Sequence, residues 1–345
     1  MSKAFEKKTY YAMTLDPVHV GTGGYRLGRV DNTITREPGT NLPKIPGSSI
    51  AGVTRAYTAM AVQSESETRK KYYRVIEISK DDGTKEQKIY SCAGKGADDG
   101  EGHCGDPDCE VCVPFGFSKK GNSFQGLAQF FDARILFFPV HSMIGPVWVT
   151  SRSTLNDFCE TLKSQSITIE IDDRLDNDEL IQTELVDANE NLNLGWLLLK
   201  NKEKINPIKT AISSLLSLPS EVVDRLVLVS DKLFSQIVND NLEVRTSVAI
   251  DPATGAAEDG ALFTYEAIPR ATVMWFDVVY NYPEYFRIRQ NGGDQPIRHG
   301  QAHGNGWKWI EKNVVKGLAY IESLGVGGMG TRGMGRMKIL NLGGH

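Results

Sequence analysis

The residues that decide the fold are Gly325–Met337, GVGGMGTRGMGRM, with glycine at 325, 327, 328, 330, 333 and 335 and arginine at 332 and 336. The first six satisfy G-x-G-x-x-G, the pattern of a dinucleotide-binding turn. Such a turn follows a strand and opens a helix, so that the helix N-terminus faces the pyrophosphate. Here the order is reversed. Trp309–Leu324 has helical spacing and stops at Gly325, and the run leads into RMKIL, which reads as a strand. A nicotinamide-binding reading is therefore rejected. What remains is a backbone loop able to approach a ligand closely, with N–H groups and two guanidinium groups that suit phosphate.

Outward from that loop, HVGTGGYRLGRVD (19–31) is a second Gly/Arg segment at the other end of the chain. The two could line one phosphate-tracking groove if the termini pack together. Lys8 to Leu15 reads as a first strand, and Ser48-Ser49 as the cap of a helix with Ile50, Val53, Tyr57, Met60 and Ala61 on its apolar face. Ala128 to Val140 reads as one strand, and Ser153 caps a short helix bearing Leu155, Phe158, Cys159 and Leu162. A helical patch at Ile212 to Leu218 precedes a strand at Leu226 to Ser230. The helix Asp231 to Val238 buries Leu233, Phe234, Ile237 and Val238. Glu243 to Ile250 and Ala261 to Ile268 flank the turn-rich DPATGAAEDG as a long hairpin, followed by a strand at Ala271 to Tyr280. Strands and helices interleave without βαβα regularity, which predicts an α+β fold on an antiparallel sheet.

The 345 residues carry 43 acids and 39 bases, a net charge of −4, with 40% hydrophobic and 24% charged side chains. These values exclude collagen, disordered, coiled-coil, membrane-spanning and disulfide-scaffold classes. No secretory h-region follows the start, so a cytoplasmic location without a membrane partner is expected. Mild acidity removes the simplest argument for nucleic-acid binding. The charge is uneven, however: residues 156–190 hold 11 acids and 2 bases, whereas 282–345 hold 9 bases and 4 acids. A polyanion would be drawn to the basic regions.

Residues 68–126 are polar, bear glycine and cysteine, and read as an insertion. Cys92, His103, Cys104, Cys109 and Cys112 fall within it. The spacing Cys104-x4-Cys109-x2-Cys112 suits tetrahedral Zn²⁺, with Cys92 or His103 as fourth ligand. Cys92 is preferred, because adjacent His103 and Cys104 ligate one ion awkwardly. Four protein ligands imply a closed, structural ion that orders an insertion with little core. Cys159 reads as core.

HVGTGGYRLGRVDNTITRE (19–37), LPKIPGSSIAGVTR (42–55) and GVGGMGTRGMGRM together resemble the RAMP superfamily of CRISPR proteins. FQGLAQFFDARILFFPV (124–140), RLVLVSDKLFSQIV (225–238) and VRTSVAIDPATGAAEDGALFTYEAIP (244–269) are similar to the backbone subunit of type III-B (Cmr) effector complexes. The order is kept over nearly the whole chain. A cysteine cluster before Phe115-Gly116 resembles zinc-bearing relatives of type III-A, III-D and III-E systems, so a type III-A-like backbone subunit is the close second.

The resemblance implies one RAMP-type domain over 1–345, a modified RNA-recognition fold. It would have a ferredoxin-like βαββαβ palm, a thumb hairpin at 244–268 and a zinc-bearing finger insertion. It implies copies stacked along a CRISPR guide RNA beside other effector subunits, in antiviral defence. The thumb would wedge into the guide–target duplex through Leu262 or Phe263. Target RNA would be cut at regular intervals by Asp31 with Mg²⁺ or Mn²⁺. Guide contacts carried over are His19, Arg26, Arg29, Arg36, Lys44, Ser48, Ser49 and Arg55, with Gly327, Gly328, Thr331 and Arg332. His19 is also a weaker candidate base. The chain departs from the pattern at Ala51, where Lys is common, and at Thr33, where Pro is frequent. The competing reading is a zinc-stabilised RNA-binding scaffold that does not cut.

Overall fold

The computed structural model describes residues 4–23, 30–66, 68, 70–79, 84–94, 102–119, 121–162, 175–183, 185, 190–204, 212, 218–258, 262–290, 292–297 and 306–342. The chain forms two compact units, each assembled from three segments. One comprises Met1–Lys8, Gly47–Asp132 and Asp277–Ser323; the other comprises Thr9–Pro46, Ala133–Phe276 and Leu324–His345.

The second unit is built on a large sheet. Its strand order is Asn191–Leu194, Leu197–Lys204, Glu179–Gln182, Leu226–Val229, Gly145–Ser151, Ala133–Ser142, Val273–Asn281, Phe5–Thr14 and Met337–Ile339. The C-terminal strand lies antiparallel beside the first, with Ala12 opposite Ile339, so the two ends of the chain meet. The sheet is mixed rather than antiparallel, because Leu226–Val229 runs parallel to Gly145–Ser151 and Glu179–Gln182 parallel to Leu197–Lys204. All four residues of Leu226–Val229 are buried, the uninterrupted apolar run expected of a parallel strand covered on both faces.

Helix Arg152–Leu162 sets Leu155, Phe158 and Cys159 against Leu136, Trp148, Leu228 and Trp275. Burying each of these large side chains contributes about 1.5–3 kcal/mol. Its cap is Ser151, whose Oγ accepts from the Thr154 amide at 3.4 Å. Ser153 lies inside the first turn and donates instead to Asp231. Helix Asp231–Asp240 is capped by Ser230 and buries Leu233, Phe234, Ile237 and Val238, as its spacing requires. Residues 163–174, 184 and 186–189 of the acidic stretch, and most of the patch 212–218, lie outside the described residues.

In the first unit, helix Gly47–Glu65 crosses helix Gly306–Leu324 at Gly317. A Cβ there would lie 2.3 Å from the Thr54 carbonyl oxygen and 2.4 Å from Thr58 Oγ1. The buried face accordingly carries Thr54 and Thr58, while Val53, Tyr57 and Met60 are only partly buried. Thr58 pays its polar burial back by donating to the Asn313 carbonyl at 3.1 Å. The helix begins one residue before Ser48, with Asp132 Oδ1 accepting from the Gly47 amide at 2.8 Å. Asp132 also marks a break in the expected strand 128–140, which is two strands, Ala128–Phe130 and Ala133–Ser142.

Candidate functional site

The loop 19–37 and the glycine loop converge on one short hairpin, all within the second unit. The hairpin pairs Glu243–Ser247 with Phe263–Ala267, Glu243 opposite Ala267 and Ser247 opposite Phe263. It is shorter than the expected 243–268 pairing, and residues 259–261 near its tip lie outside the described set. The tip is closed by Asp251, whose carboxylate accepts from the Ala253 amide at 2.8 Å and Thr254 Oγ1 at 2.9 Å. Leu262 is 66% exposed and Ile250 54%. Phe263 instead packs on Tyr265 and lies under the Arg332 guanidinium, so Leu262 is the protruding stem residue.

Loop 19–37 folds back on itself, Thr35 bonding Val20 and Thr22 bonding Thr33. Its arc, with Arg26 and Arg29, lies outside the described residues. The returning arm adds to the free edge of Phe263–Ala267: Asn32 bonds the Thr264 carbonyl and Glu266 bonds the Asn32 carbonyl, each at 3.0 Å. This places Asp31 on the hairpin. Its exposed carboxylate accepts at Oδ2 from the Thr264 amide at 2.7 Å and from Thr264 Oγ1 at 2.9 Å. Those two hydrogen bonds favour the charged form and hold the carboxyl below its ordinary range.

Two further residues lock the same strand. His19 is 7% exposed and its Nδ1 lies 2.6 Å from the Glu266 carbonyl. A carbonyl only accepts, so Nδ1 carries the proton. In the neutral ring Nε2 then holds the lone pair, on the side of Gly21. Arg36 pairs with Glu266 at 2.9 Å, donates to Asn239 Oδ1 at 2.9 Å and to the Ile34 carbonyl at 3.1 Å. Arg36 was expected to meet phosphate; its guanidinium is engaged internally, clamping loop to hairpin. Thr264 and Glu266 were missed by sequence reasoning. The signal available was their alternation with Tyr265 and Ala267, which places them on the opposite face of the strand.

The glycine loop closes against the same elements. Gly327 has φ +86°, and a Cβ there would sit 2.3 Å from the His19 carbonyl oxygen, which accepts from the Gly328 amide at 2.8 Å. Thr331 and Arg332 are exposed on the single turn Gly330–Arg332, and Arg332 Nη1 donates to Ser247 Oγ at 3.2 Å. Met334 packs with Tyr265 and Ala267. Lys44 lies in the short strand Lys44–Ile45, its amide bonded to the Thr35 carbonyl. The structure thus brings His19, Asp31, Arg36, Gly327, Gly328 and Arg332 around one strand.

Ser48, Ser49 and Arg55 belong to the first unit. Ser48 is exposed in the opening turn of a 19-residue helix, where amides face outward. Arg55 was also expected to touch RNA. It is turned into the cysteine module, donating to the Cys92 carbonyl at 2.7 Å and facing His103 Nδ1 at 3.1 Å.

In that module the sulfurs of Cys92, Cys104, Cys109 and Cys112 lie within 4.8 Å of one another. His103 is outside this set and faces Arg55, so of the two candidates for a fourth donor the geometry groups Cys92 with the other three sulfurs. Tetrahedral Zn²⁺ with Zn–S of about 2.3 Å spaces neighbouring sulfurs about 3.8 Å apart. The Cys104–Cys112 separation of 3.7 Å matches. The Cys112 amide donates to Cys109 Sγ at 3.3 Å, and Gly105 provides the left-handed turn after Cys104. Hydrogen bonds from the neighbouring thiols push the Cys104 thiol below its ordinary pKa. Lys71 sits 3.7 Å from Cys104 Sγ; burial would lower its pKa, but the surrounding sulfurs outweigh burial and raise it. Among the described residues this is the one group of three or more potential metal donors. No helix among them is long and apolar enough to cross a membrane.

Comparison with known proteins bears on the family and the fold. The family model of the RAMP superfamily matches residues 11–338. The protein named CRISPR system Cmr endoribonuclease Cmr4, from Pyrococcus furiosus, is 27% identical over 272 residues, 76% of this chain and 77% of its own. The crystal structure of oligomeric Cmr4 from Pyrococcus furiosus superposes with a TM-score of 0.58 at 20% identity, covering 98% of this chain and all of the other. A chain of the cryo-EM structure of the type III-B Cmr-beta complex bound to cognate target RNA gives 0.59 at 12% identity, over 98% of both. With the match spanning nearly the whole sequence and both glycine loops meeting on one hairpin, this chain belongs to the RAMP superfamily.

Proposed function

We propose that the chain is a repeating backbone subunit of a type III-B-like CRISPR effector, and that it cuts the target RNA it helps to bind. The observation carrying this reading is the fastening of the Asp31 carboxylate to the hairpin at Thr264, inside the cluster formed by both glycine loops. In this reading the sheet and its helices are the palm, and 244–268 is the thumb. Leu262 wedges into the guide–target duplex, so the nucleotide displaced there arrives beside Asp31. The loop amides around Gly327 and Gly328, the guanidinium of Arg332, and Lys44 track guide phosphates, with Ser48 and Ser49 adding a helix N-terminus. The cysteine module carries structural Zn²⁺.

The chemistry assigned to Asp31 is positioning rather than strong base catalysis. A carboxylate with a lowered pKa stays ionised but is a weak proton acceptor. It suits orienting a 2′-hydroxyl for in-line attack on the adjacent phosphorus, with the 5′-oxygen leaving. One carboxylate is a small share of the oxygen shell of a divalent cation, so Mg²⁺ or Mn²⁺ is expected only with RNA phosphate completing the site. The sparse acid set is also what favours the second reading, a scaffold that binds RNA without cutting. The test reconstitutes the complex with guide and complementary target and compares wild type with Asp31→Ala, in Mg²⁺ and in EDTA. Regularly spaced cuts that need metal and disappear in the variant, with target binding retained, support the nuclease. Binding without cuts in either form supports the scaffold, and cuts that persist in the variant move the active residue elsewhere.

A further inference from the structure

The cysteine module borders a cavity of about 240 Å³ lined by Thr68, Lys70, Lys71, Arg74, Ser91 and Cys104, among others. Three cations in five consecutive residues, Lys70-Lys71-Tyr72-Tyr73-Arg74, converge on it. Lys71 is committed to the Cys104 sulfur, and Arg55 faces the same cluster from the helix side. Lys70 and Arg74 line the same cavity. Between them, Tyr72 and Tyr73 are 39% and 49% exposed. Their backbone is held: both amides donate to Gln63 Oε1 at 3.0 Å, and the Lys71 carbonyl accepts from the Cys92 amide at 2.9 Å. A hydrogen-bonded backbone carrying two partly exposed aromatic residues beside cations is an arrangement suited to stacking unpaired bases while neutralising their phosphates.

We infer that residues 70–74 form a second RNA contact, a stacking platform for single-stranded nucleotides mounted on the cysteine module. It lies in a different unit from the Asp31 loops and does not depend on cleavage, though it rests on the reading of the chain as an RNA-binding subunit. An acidic peptide would satisfy the cations but leaves the two exposed aromatic residues unexplained, which is why RNA is the ligand assigned.

The experiment uses the full-length, zinc-loaded chain and a fluorescein-labelled twelve-nucleotide oligouridine. Ultraviolet cross-linking with peptide mapping is expected to give adducts at Tyr72 or Tyr73. Tyr72→Ala/Tyr73→Ala should weaken binding about tenfold or more, whereas Tyr72→Phe/Tyr73→Phe should retain it, because stacking needs the ring and not the hydroxyl. Lys70→Gln/Arg74→Gln should make the slope of log affinity against log salt shallower by about 1.4, at about 0.7 per lost phosphate contact on a single strand. Zinc content measured on every variant verifies that the module is intact. Wild-type affinity in the alanine pair, adducts confined to 19–37 and 325–337, or equal displacement by polyglutamate would overturn the platform and leave the proposed function standing. Failure of wild type to bind any RNA would overturn both.

Discussion

Gly327→Ala tests the closure of the glycine loop onto the first loop. At φ +86° an L-residue costs about 1–2 kcal/mol relative to glycine. The new methyl would lie 2.3 Å from the His19 carbonyl oxygen and 3.0 Å from Val20 Cγ2. Non-bonded heavy atoms rest at about 3.5 Å, so the two strands of chain must part by about 1 Å. That separation breaks the 2.8 Å hydrogen bond from the Gly328 amide to the same oxygen, for about 1 kcal/mol more. The expected loss is about 2–4 kcal/mol in all, or a fall of about 1 M in the urea midpoint. Hydrogen exchange at 326–328 should accelerate with it. Gly330→Ala is the matched control, since nothing lies within 4 Å of its Cβ position and its φ is unexceptional. A Gly327→Ala protein that unfolds with wild type, or a Gly330→Ala protein equally damaged, would refute the closure.

Three further outcomes follow from the same contacts. Metal analysis should find one Zn²⁺ per chain that is lost in Cys92→Ser and retained in His103→Ala, because His103 faces Arg55 and not the sulfurs. The carboxyl of Asp31 is lowered from 3.8 by Thr264, so the stabilisation from those bonds is present above the unfolded pKa and disappears as pH falls through the lower folded value. Thr264→Val should move the acid limb of target cleavage upward towards the ordinary carboxylate range, read from a pH–rate profile; an unmoved limb would refute the role of the threonine. Arg36→Ala should destabilise the chain by about 2–4 kcal/mol in urea titration, because Glu266, 13% exposed, loses its cation. Arg36→Lys should restore only part of that, lacking the fork that reaches Glu266, Asn239 and the Ile34 carbonyl together.

Some of this was legible residue by residue. Helix Asp231–Asp240 could be read from four apolar positions, because a 3.6-residue period is a local property; its cap, Ser230, was read as the end of the preceding strand. The stop at Gly325 and the run Cys104, Cys109 and Cys112 were legible for the same reason, short covalent spacing, which left Cys92 and His103 both open as the fourth member. Reading failed where the partner is distant. The face of helix Gly47–Glu65 was misjudged because Thr54 and Thr58 are buried by a glycine more than 250 positions away. Arg36 and Arg55 look in sequence like any arginine near a glycine loop. Only the fold supplies Glu266 to one and the cysteine module to the other.

The sequence by itself determined the α+β class, the two Gly/Arg loops, the turn-rich hairpin and the close run of cysteines, since each is written in spacing and residue type over a few turns of chain. The tertiary structure alone decided the mixed strand directions, the inward commitments of two arginines and the seat of Asp31 on Thr264, 233 residues away. Backbone groups at a strand edge bond whatever arm the topology delivers, and that delivery is a property of the whole fold.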